Sequence, residues 1–503
     1  MLNIKNNREC FFDDHLINPR YTTASFRVHE PIRREVLMTF DKPWEGSGST
    51  SQCIVKDTDR YRLYYIGRDM KNEFPDGTAY FHCYAESRDG LHWERPNLGM
   101  FEFCGSCDNN IISSRSSVLH GPMFVFIDEN PACPKNERYR LITSAVNGID
   151  ELFSVPSSDG IHFDYSKKTT IEKGGYYDSM NTCFWDSEAG KYRCYFRGYH
   201  FPAGYDGELT SCHDRRSYDI RIRDIRYTES TDFVHWSESV IIDEGDADDI
   251  ELYENYCIPY FRAPQTLISF PVRYMGRREW TENYDGLPGF ENRRERSSRD
   301  PRFGLAVTDC VFSCSRDGKK FFRHDDVFFR PGPEHPGNWL YGDGYITYNL
   351  LETPSGIPGA DNELSLLFTE AQWIRPVDLV RYTLRMDGFV SLHAGGGREE
   401  TVLTRQFVYT GEELYANFST SARGYLYFTL TPWDDTQGRT PLRDHANAVT
   451  SCEIFGDSTD RRIPLPDDAA AKLSGRAVTL TVRMRDADLY AIRFGDKNKG
   501  EIK

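Results

Sequence analysis

SRDGLHW (87–93), SSDGIHF (157–163), STDFVHW (230–236) and SRDGKKF (315–321) are four versions of one phrase. Each opens on Ser-x-Asp, usually continues with Gly, and places an aromatic residue four positions after the aspartate. A fifth, weaker copy is RMDGFVSL (385–392), so the aspartates fall at 89, 159, 232, 317 and 387. A period of 70 to 85 residues marks repeated supersecondary units. Asp-Gly between apolar runs is a strong hairpin signal, because the favoured turn needs positive φ and matches strand twist. Each unit therefore ends in a hairpin.

Ahead of each phrase runs an alternating or aromatic-rich segment that often opens on Tyr-Arg. These segments are YRLYYIGR (61–68), YRLITSA (139–145), YRCYFRGY (192–199), TLISFPVRY (266–274) and LSLLFTEAQW (364–373). Ahead of those lies another apolar run closed by a polar turn: QCIVKDTD (52–59), MFVFIDENP (123–131), NTCFWDSEAG (181–190), YCIPYFRAP (256–264) and YITYNLLETPSG (345–356). Period-2 patterning and β-branched or aromatic content make all of them strands. Four antiparallel strands repeated five times predict an all-β fold, a five-bladed β-propeller. Long helical patterns are absent. After the glycine-rich break HAGGGREE (393–400) the period stops, and strand-like runs with frequent turns predict a C-terminal β-sandwich. The expected division is propeller over 1–395 and sandwich over 396–503, with the opening 40 residues supplying a strand that closes the ring.

Composition narrows the partners. The 503 residues carry 61 Lys and Arg against 77 Asp and Glu, a net charge of −16, with no basic stripe. Such a field repels nucleic acid and anionic lipid. No stretch approaches the roughly 20 apolar residues of a membrane span, and the opening MLNIKNNRECFFDDHLI lacks a signal-peptide core, so no membrane association and a cytoplasmic location are expected. Thirteen scattered cysteines fit a reducing compartment. The close pair Cys104 and Cys107 reads as an ordinary turn.

In a propeller the inner strand of each blade lines the central channel, so residues just before those strands converge on one pocket. Blade 1 brings Trp44 and Glu45, and blade 2 brings His120. Blade 3 brings Asp178 and Asn181. Blade 4 brings Asp249, Glu251, Glu254 and Asn255, and blade 5 brings Trp339, Asp343 and Tyr345. Convergent carboxylates suit glycoside hydrolysis, in which one acid protonates the leaving oxygen while another, ionised, attacks the anomeric carbon or activates water. Glu45, Asp178, Glu254, Asp343 and Glu370 are the catalytic candidates. Trp44, Trp339 and Trp373 could floor a sugar pocket, and His120, Asn181, Arg197 and Arg273 could bind hydroxyls or carboxylates. Neither a cofactor nor a metal is expected; the acidic run GDADDIELYEN does not have the spacing of a calcium loop. No Gly-x-Ser-x-Gly elbow, phosphate loop or His-Glu-x-x-His occurs.

Several stretches resemble the superfamily of five-bladed glycoside hydrolases that includes families 32, 43 and 68, and most nearly a bacterial set of family-32-like hydrolases. They are ECFFDDHLI (9–17), KPWE (42–45), DSMNTCFWD (178–186), RYTLRMDGFVSL (381–392), NFSTSARG (417–424) and DADLYAIRF (486–494). The resemblance implies action on fructofuranosides, arabinofuranosides or xylosides through three acids: an Asp on blade 1, an Asp on blade 2 and a later Glu. This chain departs from that pattern. It lacks Trp-Met-Asn-Asp-Pro, has Glu45 on blade 1 and His120 on blade 2, and carries Arg299-Asp300-Pro301 only in the long loop of blade 4. The expected function is removal of a terminal, furanose-type sugar from a small oligosaccharide. A glycoside phosphorylase and a non-catalytic sugar-binding propeller are the alternatives.

Overall fold

A computed structural model describes the chain apart from residues 69–79, 115–120, 145–148, 213, 214, 218, 375, 435–441, 444 and 498–503. The fold is all-β, a five-bladed propeller joined to a C-terminal β-sandwich. Blade 1 comprises Thr50–Lys56, Tyr61–Gly67, Phe81–Ser87 and Ile111–Ser114. Blade 2 comprises Phe124–Ile127, Tyr139–Ser144, Ile149–Ser157 and Thr169–Tyr176. Blade 3 runs through Thr182–Asp186, Lys191–His200, Ile222–Ser230 and Val240–Ile241. In blade 4 the inner and second strands are each split, into Leu252–Asn255 and Ile258–Tyr260, then Ala263–Ser269 and Pro271–Gly276. The second break falls at Pro271, which has no N–H to give the ladder. Ala306–Ser315 and Phe321–Phe329 complete that blade.

Blade 5 is assembled from both ends of the propeller sequence. Leu351–Thr353, Glu363–Glu370 and Val377–Arg385 are joined by Ile32–Phe40 as the outermost strand. The ring is thus closed by a strand from the opening 40 residues, as the sequence suggests. The residues before it lie elsewhere: Leu2–Lys5, Arg8–Cys10 and Ser25–Val28 pair with Phe407–Tyr409, Val478–Gly495 and Val390–Ala394 in the C-terminal sheet. Two long strands, Glu413–Asp434 and Val478–Gly495, dominate that sheet. Register shifts between Asn417 and Phe418 and between Thr420 and Tyr425 let them bend around a core that includes Phe407, Phe418, Phe428, Val482 and Phe494.

The repeated phrase is a blade-to-blade fastening. In each of the four copies the serine hydroxyl takes the N–H three residues on (Gly90, Gly160, Phe233, Gly318), and the aspartate accepts two further backbone N–H groups. The turn then docks on the preceding blade: Tyr64 Oη donates to Gly160 O at 2.9 Å and Tyr195 Oη to Gly318 O at 2.8 Å. Gly160 has φ +76°, and a Cβ there would lie 2.7 Å from the Tyr64 hydroxyl, so glycine is required twice over.

Two expectations need correction. RMDGFVSL does not form a blade hairpin, because the fourth strand of blade 5 is already supplied by Ile32–Phe40. The chain instead crosses to Val390–Ala394 in the C-terminal sheet. Asp387, with φ +60°, is fully buried at that crossing. It meets Arg8 at 3.1 Å and Arg262 at 3.2 Å and accepts from Tyr260 Oη at 2.7 Å and Asn417 Nδ2 at 2.9 Å. The long loop of blade 4 also contains helices, Glu282–Gly286, Phe290–Arg299 and Pro301–Leu305. They escape a search for apolar periodicity because the longest, FENRRERSSR, is almost wholly polar. No helix among the described residues is long and apolar enough to cross a membrane.

Asp387 pairs with buried Arg8, which also has Asp460 at 2.8 Å, and with half-buried Arg262. Asp387→Ala therefore takes one of two carboxylates from Arg8, removes the ion-pair partner of Arg262 and leaves Tyr260 Oη and Asn417 Nδ2 short of an acceptor. The expected cost is about 3–5 kcal/mol of stability, read as a lower denaturation midpoint. A variant as stable as the wild type would show that the junction does not depend on this carboxylate.

Candidate active site

The inner strands begin, and the second strands finish, at one end of the propeller, here called the mouth. Loops between second and third strands gather there, including the helical insertion of blade 4 and the turn Ala371–Trp373 of blade 5. Asp178, Glu251 and Glu254 are carboxylates carried by the segments at this end of blades 3 and 4.

Asp178 stands in the loop before the inner strand of blade 3. Its side chain is 52% exposed, and it is ion-paired with Arg197, which finishes the second strand of the same blade. Arg197 is buried, with its guanidinium carbon 5.0 Å from the Tyr253 ring centroid and 5.1 Å from that of Tyr199. Two aromatic faces and a carboxylate thus fix the cation.

Glu254 comes from the inner strand of blade 4. It accepts from the Met180 N–H at 3.3 Å and from the Tyr256 hydroxyl, so the loop that carries Asp178 also touches it. Burial lifts its carboxyl to about 7, against the pull of Tyr256, the Met180 N–H and Arg197, and the negative charge of Asp178 adds to the rise. One acid held in its protonated form beside an arginine-paired carboxylate is the division of labour that general acid catalysis needs. Glu251 is ion-paired with Arg223, whose guanidinium carbon lies 4.2 Å from the Tyr274 centroid.

Aromatic rings line the space between. Tyr253 stacks on Tyr274 at 5.8 Å and on Tyr345 at 6.1 Å, and Tyr341 meets Tyr253 edge-on at 5.8 Å. Trp373, with φ +77°, is tilted against Tyr341 at 5.8 Å. At the mouth of blade 3, Asn181 gives its Nδ2 to Tyr177 O and Ser179 O at 3.1 and 2.9 Å and so shapes the loop that presents Asp178. Its Oδ1 and the Nδ2 of Asn255 are buried without a protein partner. Each such atom left unsatisfied costs about 1–3 kcal/mol, which water or a hydroxylated ligand would recover.

Several expected site residues have other employment. Glu45 is wholly buried and its carboxylate is saturated: Tyr65 Oη at 2.7 Å, Arg95 Nε at 2.8 Å and Nη2 at 3.1 Å, and the Lys42 N–H at 2.8 Å. A carboxylate with four donors and no exposed face cannot meet a substrate, which corrects its assignment as nucleophile or base. Trp44 donates to Asn110 at 2.8 Å and packs on Phe103 inside blade 1, not on the channel floor. Arg273 is held bidentately by Asp309 at 2.7 and 2.6 Å. Glu370 is clamped by Arg33 at 3.0 and 2.8 Å and by Tyr382, which ties the closing strand to blade 5. Trp339 donates to Gly332 O at 2.9 Å and its carbonyl receives Arg293, making it an anchor for the helical insertion. Asp343 is buried and accepts the Leu340 N–H at 2.7 Å. His120 lies outside the described residues. Asp178, Glu254, Arg197, Asn181 and Trp373 remain together at the mouth.

Tyr199, Arg223, Tyr253, Tyr341 and the insertion arginines Arg296 and Arg302 were not singled out in the sequence as pocket residues. The signal available was the density of arginine and aromatic residues after the second strands of blades 3 and 4. The cysteines are all described and all free, and Cys104 and Cys107 lie around a turn closed by a bridge between Phe103 and Ser106. Among the described residues no group of His, Cys, Asp and Glu side chains forms a metal site.

No protein-family model matches the chain, and no curated protein matches it in sequence. Solved structures similar to it include an N-acetylgalactosamine deacetylase from F. plautii in complex with blood group B trisaccharide. That match has 12% identity, covers 75% of this chain and 95% of that one, and has a TM-score of 0.39. A fructofuranosidase from Schwanniomyces occidentalis matches at 9% identity, covering 95% and 98%, with a TM-score of 0.38. A family 43 arabinoxylan arabinofuranohydrolase from Bacillus subtilis matches at 10% identity, covering 90% and 96%, also with a TM-score of 0.38. At such identities the chemistry has to be read from this chain's own side chains.

Asp343 offers a test of burial. Enclosure raises its carboxyl from 3.8 to about 8, with Glu370 adding to the rise, so the folded state keeps a proton that the unfolded chain releases near pH 4. Stability contributed by this group is therefore full below about pH 4 and declines as pH rises towards 8. Asp343→Asn keeps the acceptor but cannot ionise. The difference in Tm between variant and wild type is expected to move in the variant's favour from pH 5 to pH 8; a constant difference would overturn the assignment.

Proposed function

We propose that this protein is a glycoside hydrolase that removes a terminal sugar from a small oligosaccharide at the propeller mouth. The observation that carries the reading is the pair Glu254 and Asp178, with Glu254 at about 7 and Asp178 bound to Arg197. Glu254 is the general acid that protonates the departing glycosidic oxygen. Asp178, the more exposed, is the nucleophile or the base that activates water on the opposite face of the sugar. The tyrosines 253, 274, 341 and 345 with Trp373 supply apolar faces for the sugar C–H groups, and the unpartnered amide atoms of Asn181 and Asn255 supply hydroxyl contacts. The furanose type of the sugar follows from the resemblance in the six sequence stretches.

Turnover on a panel of furanosides and pyranosides is the direct measurement. Glu254→Gln is expected to lower kcat/KM by about 100-fold or more on natural glycosides, with a smaller loss on aryl glycosides whose leaving groups need little protonation. Asp178→Asn is expected to lower both alike. If wild type is active and neither variant is impaired, the two assignments fail; if wild type hydrolyses no glycoside, the hydrolase reading fails.

The acid must carry its proton, so kcat/KM for natural glycosides is expected to fall as pH rises through about 7. Activity that stays flat from pH 6 to pH 9 would exclude Glu254 as the acid.

A further inference from the structure

The helical insertion of blade 4 is fastened down at several points. Arg293 gives its guanidinium to Gly304 O at 2.9 Å and to Trp339 O, Asn292 Nδ2 reaches Trp373 O at 2.9 Å, and Tyr284 Oη reaches Leu305 O at 2.8 Å. Gly304 lets the helices Phe290–Arg299 and Pro301–Leu305 touch, since a Cβ there would lie 2.6 Å from Arg293 O. One turn beyond Arg293, this rigid mount carries Arg296.

Arg296 stacks on Trp373, with its guanidinium carbon 4.0 Å from the ring centroid, and lies 5.5 Å from that of Tyr341. It is half-buried. Of the arginines around it, Arg197 has Asp178, Arg223 has Glu251 and Arg302 has Asp300 at 3.3 Å, while Arg293 spends its guanidinium on two backbone carbonyls. Arg296 has neither a hydrogen-bond acceptor nor an ion-pair partner among the described residues. Burial, with Arg293 adding to it, lowers it to about 10, the direction expected of a cation without a counter-charge. A chain of net charge −16 therefore presents an uncompensated cation where the substrate lies. A flat guanidinium pinned on an indole leaves its N–H edge free for the two oxygens of a compact oxyanion.

We propose that Arg296 is the recognition point for an oxyanion at the mouth, either the carboxylate of an acidic sugar or inorganic phosphate. The inference rests on the mouth being the sugar site, and it deepens that reading by naming the charge of what binds there. The two sources share one chemistry and differ in consequence. A uronate carboxylate makes the substrate an acidic oligosaccharide. Phosphate places a second nucleophile beside the sugar, in which case its oxygen bonds to the anomeric carbon, the glycosidic C–O bond breaks, and Glu254 gives its proton to the departing oxygen.

The test is binding without turnover. Inorganic phosphate, glucuronate and galacturonate are titrated calorimetrically into wild type, Arg296→Gln and Arg296→Lys, with glucose and galactose as neutral controls. At least one anion is expected to bind wild type at millimolar concentration or tighter, more tightly than the neutral sugars. Arg296→Gln is expected to weaken that binding at least tenfold. Arg296→Lys, which keeps the charge but not the fork, is expected to fall between and serves alone if the glutamine variant does not fold. Binding of phosphate identifies the free anion, and binding of a uronate without phosphate identifies the acidic sugar. No anion binding, or binding equal in wild type and variants, overturns the proposal. Glu254→Gln, expected to lose turnover, should bind the anion as wild type does, so failure of the hydrolase reading is seen separately.

Discussion

The ring is held by a carboxylate that serves two blades at once. Asp57, in the first turn of blade 1, takes Arg62 of its own blade at 3.0 Å and the Tyr139 hydroxyl of blade 2. Asp128 repeats this one blade on, with Arg140 at 2.6 Å and Tyr192 of blade 3 at 2.9 Å. Asp186 keeps the arginine half with Arg193 at 2.7 Å. The Tyr-Arg pairs that open the second strands are thus two halves of different contacts: the arginine looks inward to its own blade and the tyrosine back to the preceding one. A buried carboxylate in this setting is satisfied only when both blades are in place. The junctions of blades 1 with 2 and of blades 2 with 3 are fastened there.

That constraint also explains how the two ends of the propeller divide their work. The Ser-x-Asp-Gly turns, the aspartates 57, 128 and 186, and the junction around Asp387 all lie away from the mouth. Their chemistry repeats because the geometry repeats. Among the described residues at the mouth, blade 3 offers a loop with Asp178, blade 4 a helical insertion, and blade 5 a turn that carries Trp373. A rigid scaffold with irregular loops at one end is the usual way to place reacting groups. Glu254 shows the connection directly, since the strand that holds it belongs to the repeat while the N–H group that touches it, from Met180, belongs to the loop.

The strands and hairpins were legible because they rest on local pattern: alternation, Tyr-Arg, Asp-Gly. The crossing at Asp387 was not, since its sequence matches the hairpin phrase and only the presence of Ile32–Phe40, some 350 residues earlier, forbids a fourth strand there. The site divides in the same way. Topology brings Asp178, Glu254 and Arg197 together as their positions before and after the inner strands imply. It cannot reveal that Glu45 is consumed by Arg95, fifty residues away, or Glu370 by Arg33 at the far end of the blade. A carboxylate near a channel becomes functional or structural according to its partner, and the partner is a tertiary fact.

The same reasoning applies to positive charge. Summed over the chain, acidic residues exceed basic ones, which argued against anionic partners on the scale of nucleic acid or membrane. Fields act locally, however, and at the mouth the pairing of Asp178, Glu251 and Asp300 with three arginines removes most of the negative charge from view. With Glu254 near 7, and so largely protonated below neutrality, Arg296 is a cation there with neither a carboxylate nor a carbonyl to hold it among the described residues. An overall acidic surface and a locally cationic pocket are compatible, and together they would let a small anion in while turning polyanions away.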